Sequence, residues 1–211
     1  VPVYIIFHGI NPHEQPKFEK QARKVAPFSQ IHLKIITLRN DFSQSGLTNI
    51  DLIPPPVFTP KDLPVQKKLH FVPPIKIGFF GQFRKEKNLG FFLEAFTKAH
   101  FSVDVRLVVQ GATAKPEDGE IFDEYARKYS TNSNITFLHK NLIGIEWQKA
   151  LMGVDVIMMP YAAERYRYHW GAMLFTAIGF YKPVLVSPEL NPEVLEKFKI
   201  GQAIDLKSVE A

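Results

Sequence analysis

From Ile75 onward, short apolar runs recur at the spacing of a parallel α/β sheet. IKIGFF (75–80), VRLVV (Val105–Val109), NITFLH (Asn134–His139), VDVIMM (Val154–Met159) and PVLVS (Pro183–Ser187) are each five or six residues long. A strand that stays apolar along its length is covered on both faces, as in parallel sheets. Helical patterns lie between the runs. Leu89, Phe92, Leu93 and Phe96 fall at i, i+3, i+4 and i+7, which predicts a helix over Asn88–Ala99. Pro116, an acidic first turn and the series Ile121, Phe122, Tyr125, Tyr129 mark another. Glu146–Met152, Trp170–Phe180 and Pro192–Phe198 read as further helices, and Gln202–Asp205 as a last short strand. This alternation predicts a doubly wound, Rossmann-type α/β domain over residues 75–205, with right-handed crossovers. Ligands bind such sheets beyond the C-terminal strand ends. The loops Gly81–Asn88, Gly111–Ala114, Lys140–Gly144 and Pro160–Gly171 would all lie on that edge.

The chain before Ile75 reads differently. Val3–Phe7 is a continuous apolar run expected to be a buried strand, followed by a polar segment, His8–Gln15. Lys34–Leu38 and Asn49–Ile53 are further strand candidates, the latter stopped by Pro54, Pro55 and Pro56. Seven prolines fall between Pro54 and Pro74, which favours an extended linker over regular structure. The expected division is a partial N-terminal α/β domain at 1–56, a Pro-rich linker at 57–74 and a nucleotide-binding domain at 75–211. The chain opens on Val1 rather than Met, close to a strand, and is expected to be a fragment.

Composition narrows the function classes. Of 211 residues, 45% are hydrophobic, so a packed core is affordable and disorder is not expected. No cysteine is present, which removes disulfides and thiolate chemistry. No run approaches 18 apolar residues, and no signal peptide is recognised. The net charge of +5 suits an anionic substrate or surface. The basic residues are not gathered into one stripe, so nucleic acid is not the expected partner. The fingerprints G-x-G-x-x-G, G-x-x-x-x-G-K-[ST], G-x-S-x-G and H-E-x-x-H are all missing, as is any pair of aspartates at i, i+2.

The segment Ile75–Ala95, IKIGFFGQFRKEKNLGFFLEA, carries the chemistry. A strand runs through glycine and several cations into a helix start, where N–H groups and the helix dipole favour an anion. Arg84, Lys85 and Lys87 add positive charge. The expected ligand is a phosphate or diphosphate; the alternative is a solvated basic loop. The loop from Tyr161 to Trp170 crowds aromatics with Arg165 and Arg167 around Glu164, which suits a sugar–phosphate pocket or a glutamate capping a helix.

These residues together resemble the C-terminal donor-binding domain of GT-B glycosyltransferases of the family 4 type. IGFFGQFRKEKN resembles the family's strand–G–loop–K element, VRLVVQGA the strand ending in glycine near the nucleotide, NITFLH the strand supporting the base. VDVIMMPYAAE resembles "aD-x-x-x-x-P-S-x-x-E", and GFYKPVLVS the "G-x-P-V" strand. VYIIFHG, KIITLRNDF and NIDLIPPPVF resemble the end of the N-domain. The resemblance implies retaining, metal-independent transfer of a sugar from a nucleotide-diphosphate sugar to a glycan or lipid-linked acceptor, without a cofactor. It implies a bacterial, cytoplasmic enzyme of polysaccharide synthesis, with peripheral attachment at the inner membrane face as an option. The implied catalytic residues are His8, Arg84 and Lys87, with His8 hydrogen bonding the transferred sugar. The implied donor-binding residues are Gly81, Gln82, Arg84, Lys87, Gly111, Glu164, His169, Gly171 and Thr176; no metal ligand is implied. The pattern departs from the family in two places. Gln82 follows Gly81 where the family has arginine, with Arg84 displaced. In the E-x7-E element the glutamate positions fall on Tyr168 and Thr176. A nucleotide-sugar-binding protein without turnover is therefore the alternative. Lacking most of the acceptor domain and the usual closing helices after Asp205, the 211 residues alone are expected to bind nucleotide weakly, and apolar surface on the truncated N-terminal piece to make them self-associate.

Overall fold

A computed structural model describes residues 1–39, 46–61, 63–64 and 71–205. Two parallel sheets organise them. The smaller has the order β1(Val3–Phe7)–β2(Ile31–Ile36)–β3(Ile50–Ile53). Helix α1 (Gln15–Val25) connects its first two strands, with Pro16 in its first turn and Ala22 buried. The core here is small: Ile10 and Ile35, flanked by Phe7, Phe18, Ile50 and Leu52.

Three differences from expectation appear in this part. The sequence reading contained no helix over 15–25, although Phe18, Ala22 and Val25 fall at helical spacing on one face. Val3–Phe7 does form a strand, but it is not buried: Tyr4 is 57% and Ile6 54% exposed. An apolar run reports that cover is favourable, not that it is present, and β1 lies at the sheet edge. The second strand also begins and ends earlier than Lys34–Leu38.

The larger sheet has the order β6–β5–β4–β7–β8–β9, every neighbouring pair parallel. Its strands are β4 (Ile75–Phe79), β5 (Val105–Gly111), β6 (Ile135–His139), β7 (Val156–Met159), β8 (Val184–Val186) and β9 (Gly201–Ala203). The chain enters at β4, winds outward to β6, then returns to β4's other side with β7. This is the doubly wound order anticipated from the strand–helix alternation. The connecting helices are α2 (Leu89–Lys98), α3 (Pro116–Lys128), α4 (Gly144–Met152), α5 (Arg165–Tyr168), α6 (Ala172–Gly179) and α7 (Pro192–Lys197). Phe79, Leu93, Leu107, Phe122, Ile157 and Leu174 are fully buried in one continuous core. The helical turn α5 sits in a stretch expected to be loop, Pro160–Gly171. Residues 54–60 carry no helix or strand; part of the expected linker, and 206–211, lie outside the described residues.

The passage from β4 into α2 is less direct than the sequence suggested. A 3₁₀ turn, Lys85–Lys87, intervenes, and Asn88 precedes α2 in the left-handed conformation with φ 55°. The loop is anchored by Phe83, which is fully buried and packs edge-on against Phe122 and Tyr125.

Candidate functional site: a cavity at the C-terminal strand ends

Because every strand of the large sheet points the same way, the loops after β4, β5 and β6 meet on one edge. They enclose a cavity of about 520 Å³. Gly81 and Gln82 form one side, Ala112, Thr113 and Ala114 another, and Leu142, Ile143 and Gly144 a third, with Trp147 from α4 against it. Gly81 adopts φ +103°, open to glycine and few other residues. Gln110, buried at the next-to-last position of β5, fastens the three loops together. Its Oε1 accepts from the Gly81 N–H at 2.9 Å, and its Nε2 donates to the Lys140 carbonyl at 2.5 Å. The Phe83 N–H donates to the Ala112 carbonyl at 2.7 Å, and Ala112 N–H to the Gly81 carbonyl at 3.2 Å.

A basic group stands beside this cavity. Lys87 reaches back toward Gly81, its Nζ 3.5 Å from where a Gly81 Cβ would be. The ammonium lies 4.7 Å from the Tyr161 ring centroid and 5.9 Å from that of Phe79. Lys87 has no hydrogen-bond or ion-pair partner among the described residues. Burial brings its pKa down to about 8; Arg84 and Arg165 push the same way and Glu86 opposes them. Glu86 gathers the two arginines. Arg84 Nη1 lies 3.7 Å from its Oε1, Arg165 Nη2 is in direct contact with the same oxygen, and the Tyr166 hydroxyl donates to it at 3.3 Å. The Ala162 N–H donates to the Glu86 carbonyl, bringing the fourth loop onto the same edge. Lys87 is therefore the cation that Glu86 does not neutralise directly.

The N-terminal sheet contributes through the residues after β1. Gly9, with φ +116°, forms an antiparallel bridge to His169, and the Trp170 N–H donates to the His8 carbonyl at 3.3 Å. The His8 and Trp170 rings meet edge-on at 5.8 Å, and Phe58 stacks on Trp170 at 6.0 Å. Burial lowers the His169 pKa, Arg165 and His8 add to the shift, and Glu14 opposes it.

The structure thus brings Gly81 and Gln82 to the cavity wall, and sets Arg84, Lys87, His169 and His8 in one electrostatically coupled group with Arg165. Other candidates sit elsewhere. Gly111 is buried away from the wall: a Cβ there would lie 2.8 Å from the Phe122 Cδ2, so the glycine serves strand–helix packing. Glu164 is exposed at the start of α5 and has no side-chain partner among the described residues. Gly171 makes room for Leu190, and its N–H is taken by Asn191 Oδ1 at 2.8 Å. Thr176 is buried with its hydroxyl donating to the Ala172 carbonyl at 2.8 Å; it borders a separate hollow with Phe58, Trp147 and Phe180. Sequence reasoning missed Gln110, Thr113, Trp147 and Asn191 as functional or supporting residues, whereas Arg165 stands in the loop it reads as a sugar–phosphate pocket. Gln110 left a signal, a polar residue ending an apolar strand. Asn191 holds the Tyr166 and His169 carbonyls from the left-handed conformation just before Pro192, which sequence alone does not reveal.

A profile of the glycosyl transferases group 1 family matches residues 74–211. The chain belongs to this family. Its fold is that of GT-B glycosyltransferases. HepE (Alr3699) of Anabaena, solved in complex with UDP, superposes with a TM-score of 0.68 at 13% identity, covering 99% of this chain and 60% of HepE. HepE with UDP-glucose gives 0.65 at 12% identity, covering 99% and 60%. Sucrose-phosphate synthase of Thermosynechococcus elongatus gives 0.60 at 13% identity, covering 99% and 56%. The chain therefore spans about three fifths of the length of these structures. No curated protein sequence matches the chain.

Proposed function

We propose that this chain binds the nucleotide-diphosphate part of a sugar donor, and that the protein containing it transfers the sugar with retention to a glycan or lipid-linked acceptor without a metal. The observation that carries the reading is the adjacency of the cavity to Lys87, a half-buried ammonium without a counter-ion beside the glycine that opens the wall. A diphosphate is the anion such a cation would neutralise, and charge growing on the leaving phosphate would be stabilised where the cation already stands. The cavity is wide enough for a nucleoside, and HepE, which shares the fold, was solved with UDP and UDP-glucose. In this reading Gly81, Gln82 and the 141–144 loop hold the nucleoside, Arg84 and Lys87 the phosphates, and His8, His169 and Trp170 border the sugar. The division into domains at 1–56, 57–74 and 75–211 belongs to the same proposal.

A second reading rests on Thr176. The family resemblance puts a glutamate there, and the threonine hydroxyl is closed on its own helix. A protein that binds donor without turning it over would need no more. No helix among the described residues is long and apolar enough to cross a membrane.

Calorimetric titration of UDP, GDP and dTDP tests binding: at least one should bind, and Lys87→Ala should weaken it by about 1.5–3 kcal/mol, the range for a hydrogen bond to a charged group. Binding unchanged in Lys87→Ala, or no binding of any of the three, refutes the assignment. Sustained donor consumption by the intact protein, in the presence of EDTA, separates a metal-free transferase from a silent binder.

A further inference from the structure

Three side chains outside the basic group converge on the cavity wall. Asp123 Oδ1, on α3, lies 2.6 Å from His139 Nδ1 at the end of β6. His139 Nε2 lies 3.0 Å from the hydroxyl of Thr113, which lines the cavity. The imidazole rests against the Phe122 ring, centroids 4.9 Å apart, and its side chain is one third exposed, at 33%. Gly119 on α3 leaves the space in which the pair meets: a Cβ there would stand 3.4 Å from Thr113 Oγ1 and 3.7 Å from His139 Cε1.

We infer that Asp123, His139 and Thr113 form a hydrogen-bond relay that fixes Thr113 as an acceptor on the cavity wall, so that the site selects nucleotides presenting a donor there. The inference rests on the reading of this cavity as a nucleotide site. An ionised carboxylate has no proton to give, so Asp123 requires a proton on Nδ1 of the imidazole. In the neutral ring Nε2 is then an acceptor and takes the threonine O–H. The hydroxyl is spent on the ring, and its lone pairs face the ligand. A base N–H or a ribose O–H satisfies them. A carbonyl in that place opposes two acceptors, and an alkylated nitrogen leaves the threonine oxygen facing an apolar methyl; either is how a built polar site discriminates between analogues. His139 and Asp123 are positioning residues in this scheme; Thr113 touches the ligand.

The tautomer is read directly by long-range ¹H–¹⁵N spectra of the imidazoles in the 211-residue chain. We expect His139 protonated on Nδ1 in the wild type. Asp123→Asn, whose amide can donate to Nδ1, should move the proton to Nε2. UDP affinity should fall about tenfold in Thr113→Val and in Asp123→Asn, the size of one neutral hydrogen bond. Thr113→Ser should restore it, which a purely structural role for the side chain's methyl group would not allow. Of two analogues that each remove a donor, 3-methyl-UDP and 2′-deoxy-UDP, one should bind the wild type about tenfold worse than UDP and bind Thr113→Val as well as UDP does. Circular dichroism establishes that each variant is folded. A wild-type Nε2–H tautomer overturns the relay, and so does equal UDP binding by wild type and Thr113→Val. If UDP, GDP and dTDP all fail to bind the wild type, the nucleotide reading falls and the selectivity inference with it.

Discussion

Replacing Lys87 by methionine separates what this lysine does for the ligand from what it costs the fold. Its pKa of about 8 lies below the usual 10.5 because burial removes water that would solvate the ammonium, and two arginines stand nearby. The difference, 10.5 − 8 = 2.5, corresponds to ~3 kcal/mol that the charged form costs the free protein at neutral pH. Between pH 8 and 10.5 the unfolded chain binds the proton more tightly than the folded one, so wild-type stability should rise with pH across that window. Lys87→Met should lose the rise and unfold at higher denaturant concentration at pH 7. Ligand binding runs the other way. A diphosphate needs the charged form, which falls from ~90% at pH 7 to ~10% at pH 9 for a pKa of about 8. Affinity should therefore drop ~10-fold over those two pH steps in the wild type and stay flat in Lys87→Met. Taking the ratio of the two proteins cancels any titration of the nucleotide itself. Calorimetry at pH 8.5 in buffers of different ionisation enthalpy should also show proton uptake on binding in the wild type alone. Parallel pH profiles for the two proteins, or a destabilised Lys87→Met at pH 7, would refute the account of Lys87 as an uncompensated, partly desolvated cation.

Two further substitutions probe the frame around the site. Gly179→Ala would drive a methyl into the Phe58 carbonyl group, within 2.6 Å of its carbon. The segment near Phe58 should lift from α6, with a loss of ~1–3 kcal/mol in denaturant unfolding, as for overpacking, and faster proteolysis in 54–61; unchanged values for both would show that this contact is not formed. Asn191→Ala deprives the Gly171 N–H and the Tyr166 and His169 carbonyls of their buried partner and puts alanine at φ 41°. A loss of ~2–3 kcal/mol is expected, together with faster amide exchange at Gly171; exchange unaltered there would mean the clamp is not holding the loop.

Much of this architecture is readable from the chain because apolar runs and helical spacing report on a parallel sheet locally. Phe79, Leu93, Leu107 and Leu174 each lie on the face that their pattern assigns to the core. The site is less legible. Gly81 and Lys87 stand in one motif, so the sequence brings them together. Gln110, Thr113, His139 and Trp147 are joined by strand order, which no local pattern encodes. The resemblance puts Gly111 and Gly171 among the donor-binding residues; the space a side chain would take at each is filled by Phe122 and Leu190. A sequence shows that something comes near a glycine without showing what. The exposure of β1 was missed for a related reason, since hydrophobicity records a preference for cover and says nothing of the neighbour that supplies it.

Gln110 carries a consequence for how the site meets its ligand. One side chain, using its oxygen toward Gly81 and its nitrogen toward Lys140, holds the walls at their separation. Fixing a backbone residue costs ~1–2 kcal/mol. Loops already fixed during folding do not present that cost again when a ligand arrives. Association should therefore approach a lock-and-key event at this end of the cavity, with amides near Gly81 slow to exchange before any nucleotide is added. Glutamate at this position would keep the acceptor and lose the donor, turning a carboxylate toward the Lys140 carbonyl. The lesion would register as a slower and more entropically unfavourable capture of nucleotide, while every residue that touches the ligand remained in the sequence.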